Sequence, residues 1–568
     1  MTKESRKKAY YHLYICTFCA SKAYDNIVAV IKHLYNKYIK TIYTLIFLIF
    51  FIPRVIGLGG DISNYDASFW YPRMDNFTKN IIRGEYKLTY QKYHPGVTML
   101  WTSGTSKYIF EKAFEKTFHY NPRFMASQFP RLNFASIFPL VVMISGLGVF
   151  QYYLISKLVN KRFGIFFAIV LSLEPFFLGT SRFLHLSALT AMFMFASFLA
   201  LFYHYHTSRK DKKYFYISSI LLGLGALTKV DAVIALPVNA LIIIFYEFNR
   251  AKILNTQTIL NILRAGFLHT FIICFTFYIL FPSMWVAPIW TIKKIISEGI
   301  LETAFDSSGA ETISKIRFMF YPETILIRSL PTFFLGLIGG IILTLKNFSN
   351  SKYKNYTQIL SWTLFFIVFN IAILSIPEKI KDRYLINLYP PMSVLVALFW
   401  YKCYVSKKFI KYFVSGVFVF FYILTAYKYH PVYSFYHSEL IGGPKGLEYF
   451  GLPIKNRGEF YAQAAKYINK KDAKPEVRNV VLSHREQMRT FPPFFLGKTY
   501  ANPKLMQNGY FADYIITRPE YDYLVLDSEL ANKCYLLKTF GPKAPFGYDI
   551  VKLYKCEGVT NQYKDFRN

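Results

Sequence analysis

The sequence has few acidic residues and lacks the short motifs of nucleotide sites. Asp and Glu number 33 against 67 Lys and Arg, which gives a formal net charge of +34. The basic residues are spread over short loops and tails and form no nucleic-acid motif, so we expect anionic lipids and phosphate-bearing substrates as partners, not DNA or RNA. No glycine-rich nucleotide loop is present, which argues against ATP or a sugar nucleotide as substrate.

Cysteine is also scarce, with six residues in 568. Their spacing demands neither a zinc site nor a disulfide framework. Cys16 and Cys19 form one CxxC pair, which on a basic segment is more often coincidence than a metal or redox site. Cys534 and Cys556 could pair in an oxidising compartment, and the sequence leaves that pairing open. We also find no internal repeat and no low-complexity tract.

Long apolar runs are what the sequence has in abundance, since 53% of its residues are hydrophobic. Runs of about 18 to 22 residues recur about eleven times between Thr41 and Tyr427, and each could cross a hydrocarbon core of about 30 Å. We therefore predict an α-helical polytopic membrane protein with about 11 transmembrane helices. Residues 1–40 are basic and aromatic and precede a full-length run, so we predict a cytoplasmic, interfacial amphipathic segment and no cleavable signal peptide.

The Lys/Arg-rich turns set the predicted orientation. With the N-terminus inside, turns such as Lys157 to Arg162 and Lys402 to Lys411 fall on the cytoplasmic side, as the positive-inside rule requires. The membrane domain then covers residues 41–430, with outer loops over 59–131 and 282–324. The predicted location is a cell (plasma) membrane with the C-terminus outside.

Residues 431–568 have a different, soluble composition. The stretches VRNVVLSH, DYIITR, YDYLVLD and YDIVKLYKC have the pattern of short buried strands, and EFYAQAAKYINK has that of an amphipathic helix. Strands that alternate with helices predict a small extracytoplasmic α/β domain.

The stretch from Asp61 to Trp101 mixes carboxylates, aromatic residues, Arg73, His94 and a Pro-Gly turn. Asp66 lies just beyond the first apolar run among aromatic residues, where burial can tune its basicity. We therefore predict Asp66 as a general base. On the loop alone, a solvated outer loop explains the same residues equally well.

Charged side chains in or beside apolar runs cost several kcal/mol unless they face a cavity or a partner. Each has a plain alternative, since Lys229 could extend to the interface and Arg182 could pair with Glu174. Together, however, several cations and a loop carboxylate on the predicted outer face indicate a site for a lipid phosphate with a base beside it. The residues concerned are Glu174, Arg182, His185, Lys229, Asp231, Glu323, Arg328, Glu378, Lys379, Lys381, Asp382 and Arg383.

Several stretches together resemble a known family. Asp66 with Arg73 and HPGVTMLW, then SRFLHLSAL, GALTKVDA, FPSMWVAP and KDRYLINLYPP, are similar in order to the lipid-carrier-dependent glycosyltransferases of the GT-C fold, specifically the protein-O-mannosyltransferase and aminoarabinose-transferase relatives. The resemblance covers residues 41 to 430. It implies inverting transfer of a monosaccharide from a polyprenyl-phosphate donor to a hydroxyl of a protein, lipid or glycan on the outer face.

The resemblance also implies roles for single residues. Asp66 matches the catalytic aspartate, whereas Ala67 stands where the acidic pair usually has Glu, and Glu174 and Ser187 stand where Asp is expected. No metal ligand is assigned, and a divalent cation stays open as a cofactor. The implied substrate-binding residues are Arg73, His94, Arg182, His185, Lys229, Lys381, Asp382, Arg383 and Tyr384.

The residues suit this chemistry without the family name. A sugar on a phosphate already carries a good leaving group, so cations for the phosphate and one carboxylate for the acceptor proton suffice. The main alternative is a transporter or flippase for an anionic lipid-linked substrate, which explains charges in apolar runs equally well. It predicts inverted repeats, however, and leaves the long first loop and the outer domain unexplained. An inactive binding protein that uses the outer domain is a third interpretation.

Overall fold

The structure is a computed structural model that describes residues 40–62, 64–207, 211–301, 316–347, 354–406, 408–501, 512–526, 532–545 and 547–557. Residues 1–39 of the predicted interfacial segment, Cys16 and Cys19 among them, lie outside the described residues. Part of the second predicted outer loop does so as well.

Long helices follow the predicted apolar runs in order. Short helices cover Tyr65–Ser68, Val97–Met99, Pro175–Thr180, Pro282–Val286, Pro288–Lys294, Phe320–Arg328, Gly443–Tyr449 and Tyr523–Leu526. The helices of ten or more residues are α1 (40–55), α2 (Trp70–Ile82), α3 (Thr105–Phe118), α4 (Phe129–Leu158), α5 (Lys161–Leu173), α6 (Ser187–His206), α7 (Lys213–Thr228), α8 (Ala235–Ala251), α9 (Thr256–Leu280), α10 (Pro331–Asn347), α11 (Lys354–Leu374), α12 (Tyr389–Val405), α13 (Lys408–Tyr429) and α14 (Tyr461–Lys471).

Seven helical segments in the described ranges are long and apolar enough to cross a membrane. They contain α4, α6, α8, α9, α11, α12 and α13, while α7 and α10 are shorter apolar helices. Burial sorts these helices, because 94% of the apolar window of α6 is buried but only 17% of that of α9. Thus α6 is central and α9 is peripheral. The predicted class of helical polytopic membrane protein is confirmed, and the count of about eleven spans stays a prediction.

One apolar run that the sequence predicts, from about Gly164 to Gly179, is interrupted. Helix α5 ends at Leu173, and the short helix Pro175–Thr180 begins after it. Proline has no backbone N–H and its ring clashes with the preceding turn, so Pro175 starts a new helix. Glu174 caps that helix, because its Oε2 accepts a hydrogen bond from the N–H of Phe177 at 3.0 Å.

The first predicted outer loop is a folded unit. Between α2 and α3 the chain turns at Gly96, whose φ is +64°. A Cβ on Gly96 would lie 2.4 Å from the Trp70 ring, so only glycine allows this packing. Lys107 on α3 joins the helices, since its Nζ lies 2.5 Å from Asp75 on α2 and 2.6 Å from Glu111. These contacts hold α2 and α3 together.

The described part of the C-terminal domain forms one five-stranded sheet in the order β2-β1-β3-β5-β4. The strands β1, β2 and β3 are parallel, whereas β5 is antiparallel to both β3 and β4. A disulfide joins Cys534 on β4 to Cys556 on β5. With α14, the sheet confirms the predicted α/β domain. The bounds are β1 Asn479–Leu482, β2 Lys498–Tyr500, β3 Tyr514–Thr517, β4 Cys534–Phe540 and β5 Val551–Cys556.

One predicted strand is wrong. The stretch YDYLVLD forms a 3-10 turn and the short helix Tyr523–Leu526. Asp522 fixes this turn, because its carboxylate accepts a hydrogen bond from Thr517 Oγ1 at 2.6 Å and pairs with Lys552 of β5. The contacts of the Asp522 carboxylate with Thr517, at the end of β3, and with Lys552 thus outweigh the strand preference of its neighbours.

Candidate functional site

Asp66 lies in the first turn of the short helix Tyr65–Ser68, soon after α1. Its backbone N–H donates to Oδ1 of Asn64 at 2.8 Å, which caps the helix. The Asp66 side chain is 25% exposed, and its Oδ2 forms an ion pair with Nη1 of Arg383. The structure therefore brings the predicted base into contact with a predicted cation from the 3-10 turn that precedes α12.

Lys229 joins the same group from the end of α7. Its side chain is only 4% exposed, and Nζ forms an ion pair with Asp231. The same Nζ lies 4.6 Å from the centroid of the Tyr384 ring, next to Arg383 in the chain. The geometry does not match a lysine that extends to the membrane interface, because the ammonium is buried between groups of the site.

The two predicted histidines are placed near Lys229. Burial and the positive charge of Lys229 lower the pKa of His94 to about 3 and that of His185 to about 3. Both rings are therefore neutral near pH 7. His185 Nδ1 accepts a hydrogen bond from the N–H of Ser187 at 3.2 Å, which assigns the ring proton to Nε2. Nδ1 of His94 is buried without a hydrogen-bond partner among the described residues.

Arg73 packs on the aromatic wall of the Asp66 loop. Its guanidinium lies 4.6 Å from the Trp70 ring centroid and 5.8 Å from that of Phe69. Partial burial lowers the pKa of Arg73. A cation held over aromatic faces in this way keeps its hydrogen-bond donors available.

The contacts of Arg182 and Asp382 are with other parts of the protein, and their roles in substrate binding stay predictions. The Arg182 guanidinium donates to backbone carbonyls at the end of α1, including that of Ile56 at 2.7 Å. It therefore satisfies the free carbonyls of a helix end. The alternative pairing of Arg182 with Glu174 is not formed either, because the Glu174 carboxylate accepts backbone hydrogen bonds from Phe177 and Leu330.

Asp382 is fully buried and pairs with Arg328 at 2.8 Å and with Arg457. This carboxylate thus holds two arginines together next to Arg383. Lys381 precedes the 3-10 turn Asp382–Leu388 and is partly exposed. Of the predicted set, Asp66, His94, His185, Lys229, Arg383 and Tyr384 are the residues that this geometry brings together.

Sequence reasoning missed the contribution of the C-terminal domain. Besides its ion pair with Asp382, Arg457 accepts a backbone hydrogen bond from the N–H of Tyr65 at 2.7 Å. Arg489 lies 3.8 Å from the centroid of the Phe69 ring. Two further cations therefore flank the segment that carries Asp66. No periodic pattern marks them in the sequence, because their role depends on how the domain docks.

The donor set around Asp66 does not suit a metal ion. Ala67 stands where the resemblance leads us to expect Glu, and its side chain is only 1% exposed. Asp66 is already paired with Arg383, and the described residues contain no group of three or more His, Cys, Asp or Glu that could hold a metal. We therefore assign no residue to a divalent cation.

Comparison with known families gives one match. Residues 120–278 match the model of the dolichyl-phosphate-mannose-protein mannosyltransferase family. This segment contains His185 and Lys229, whereas Asp66 and Arg383 lie outside it. The match confirms the family resemblance drawn from the sequence and supports a glycosyltransferase of the GT-C class with a polyprenyl-phosphate-linked donor. Comparison with curated proteins gives no match.

Three solved structures are similar to most of this chain at low identity. ArnT from Cupriavidus metallidurans in the apo state aligns with a TM-score of 0.47 and 12% identity over 92% of this chain and 98% of that chain. The same enzyme bound to undecaprenyl phosphate has a TM-score of 0.44 and 12% identity, over 91% and 98%. The apo oligosaccharyltransferase of Archaeoglobus fulgidus has a TM-score of 0.45 and 12% identity, over 89% and 74%. None of these TM-scores reaches 0.5, so these similarities say nothing about the residues of the site.

Proposed function

We propose that the protein is an inverting glycosyltransferase that moves a monosaccharide from a polyprenyl-phosphate donor to a hydroxyl acceptor on the outer face of the membrane. The observation that carries the proposal is the Asp66 carboxylate in contact with Arg383, beside the buried cation Lys229. A base and phosphate-binding cations at one place are what the reaction requires.

In this mechanism Asp66 takes the proton of the acceptor hydroxyl. The acceptor oxygen forms a bond to the anomeric carbon as the bond from that carbon to the phosphate oxygen breaks, and polyprenyl phosphate leaves. Because displacement occurs once, the anomeric configuration inverts. Arg383 and Lys229 stabilise the charge that grows on the leaving phosphate.

The ion pair between Asp66 and Arg383 gives donor binding a second role. A donor phosphate near Arg383 would compete with Asp66 for the guanidinium, because phosphate is a strong bidentate partner of arginine. Loss of that pair leaves the Asp66 carboxylate free to accept a proton. Donor binding therefore precedes activation of the base.

The two neutral histidines fit the sugar and not the phosphate. An uncharged imidazole with a proton on Nε2, as in His185, can donate to a sugar hydroxyl without adding charge. The unpaired Nδ1 of His94 supplies a second polar atom for the same purpose. Tyr384, held next to Lys229, lines the same space.

The proposed location is a plasma membrane, with the N-terminus inside and the C-terminal domain outside. The Lys/Arg-rich turns support this orientation. The disulfide between Cys534 and Cys556 also supports it, since such bonds persist in oxidising compartments. The acceptor is a protein, lipid or glycan, and mannose transfer to protein is the activity that the family name suggests for the donor and acceptor pair.

A transfer assay tests the proposal. Purified protein in liposomes is supplied with a radiolabelled polyprenyl-phosphate sugar and with membrane extract as acceptor, and mass spectrometry identifies the product. We expect sugar on the acceptor with inverted anomeric configuration by NMR. Movement of the labelled lipid across the bilayer without any transfer would favour the flippase alternative and overturn the proposal.

A further inference from the structure

A cavity lies at the end of α7 opposite to the site. It has a volume of about 310 Å³ and is formed where α6 ends and where α7 and α9 begin. Lys229 follows the last residue of α7, and α7 is about 24 Å long at 1.5 Å per residue. The cavity therefore belongs to the opposite membrane face, which the charge distribution assigns to the cytoplasm.

The cavity is lined by two cations and by an apolar wall. Lys212 and Arg264 supply positive charge, and Asn261 supplies an amide. The remaining wall consists of His204, Tyr205, Phe215, Tyr216, Ala265 and Leu268. Such a lining suits a ligand that is anionic at one end and apolar at the other.

Arg264 is the residue that demands an explanation. It is exposed and lies within α9, about 12 Å from the beginning of the helix at 1.5 Å per residue. Because only 17% of the apolar window of α9 is buried, this helix faces lipid over most of its surface. A guanidinium at this depth costs several kcal/mol unless it meets an anion or extends to the headgroups.

The described residues provide no anion for it. Neither Arg264 nor Lys212 forms an ion pair within the described part of the chain. The carboxylate next to Lys212 in sequence, that of Asp211, lies 3.6 Å from Lys213. His204 contributes no anion either, since its Nδ1 lies 3.2 Å from the carbonyl of Asp211.

We infer that this cavity binds the phosphodiester headgroup of an anionic phospholipid of the inner leaflet. Lys212 and Arg264 pair with the phosphate, Asn261 contacts the glycerol portion, and Phe215 and Leu268 pack on the first acyl carbons. Basic pockets between membrane helices on the cytoplasmic side are suited to such headgroups. The bound lipid would tie together the cytoplasmic ends of α6, α7 and α9.

Lipid binding to the full-length, delipidated protein in detergent tests this inference. Phosphatidylglycerol is titrated, with phosphatidylcholine as the zwitterionic comparison, and bound lipid is counted by native mass spectrometry. Wild-type protein should bind phosphatidylglycerol at least about tenfold more tightly, because the choline cation of phosphatidylcholine offsets the attraction between its phosphate and the charges of Lys212 and Arg264. The double variant Lys212→Gln/Arg264→Gln should lose that preference.

A matched control is Lys157→Gln/Arg250→Gln, which removes the same charge from the same predicted face without altering the cavity. It should keep the preference for phosphatidylglycerol. Unchanged binding by the Lys212→Gln/Arg264→Gln variant, or equal loss in the control, would overturn the inference. So would displacement of phosphatidylglycerol by an equal concentration of polyprenyl phosphate, which would assign the cavity to the carrier lipid. Circular dichroism of each variant verifies the fold.

Discussion

Arg457 links the C-terminal domain to the Asp66 loop, and the variant Arg457→Gln tests that link. The change removes the ion pair with Asp382 but keeps the backbone hydrogen bond from Tyr65. The Asp382 side chain is 1% exposed and that of Arg457 is 16% exposed, so the lost pair is largely desolvated. Arg328 remains as a second partner for Asp382.

The expected cost follows from these contacts. Removing one partner of a buried ion pair typically costs about 3 to 5 kcal/mol, and a single hydrogen bond to a charged group contributes about 1.5 to 3 kcal/mol. Because Arg328 still neutralises Asp382, we expect the smaller of these two costs. The free energy of unfolding should fall by about 2 kcal/mol. Turnover should fall as well, since the Asp66 segment loses a support.

Denaturant titration in detergent, together with a transfer assay, measures both effects. The control is Arg478→Gln in the same domain, whose side chain is 38% exposed and pairs with Asp472 at 2.8 Å and Asp513 at 3.2 Å. Because the Arg478 side chain is exposed to solvent, we expect its pairs to contribute only about 0 to 1 kcal/mol, and neither pair involves the Asp66 segment. If Arg457→Gln matched this control in both stability and turnover, the link between domain and loop would be refuted.

Three further predictions follow from the site and the topology. Arg383→Gln and Lys229→Gln should each weaken binding of the polyprenyl-phosphate donor by about 1 to 3 kcal/mol and leave acceptor binding unchanged. Equilibrium binding of each substrate measures both effects. Unaltered donor affinity would mean that both residues have only a structural role. The folded state lowers the pKa of His94 and of His185 to about 3 from 6.5, so the unfolded chain binds protons first as pH falls. The free energy of unfolding should therefore decline between about pH 6.5 and 3. The unfolding midpoint of His94→Gln should change less with pH than that of wild type. A membrane-impermeant maleimide added outside should label Lys445→Cys but not Lys213→Cys, and the reverse pattern would invert the topology.

Much of the membrane part could be predicted from the sequence, because a bilayer restricts what can cross it. Each apolar run became a helix, since buried backbone groups in lipid must bond within the helix. The exception at Pro175 follows from proline chemistry and was visible in the sequence. The contact between Asp66 and Arg383 could also be anticipated from the sequence, because both residues were assigned to one membrane face.

The docking of the C-terminal domain could not be predicted from the sequence. Arg457 lies outside helices and strands and Arg489 lies in a short 3-10 turn, and their contacts with Tyr65 and Phe69 join them to residues hundreds of positions earlier in the chain. Local periodicity carries no information about such contacts. The contacts of Arg182 and Asp382 could not be predicted for a related reason, since a charge near a span can face either a ligand or a neighbouring helix end, and only the packing decides.

The sequence did not predict the short strands β2 and β4, and the reasons are local. β2 has three residues and β4 is largely exposed, so neither has a clear buried pattern. The stretch YDYLVLD has strand-forming residues, yet Tyr523 and Leu526 are 54% and 57% exposed in the structure. Propensity alone thus favoured a strand where the Asp522 contacts impose a turn.

The turnover of Asp66→Asn tests the central claim most directly. The variant keeps the size and hydrogen-bonding shape of the side chain but removes the base, so turnover should fall by roughly 10² to 10⁴ while donor binding persists. Asp61→Asn is the control, because it lies in the same loop and has no assigned role in proton transfer. The account predicts a large loss of turnover for Asp66→Asn alone, in protein that still folds and unfolds cooperatively. Full turnover by a well-folded Asp66→Asn protein would contradict it.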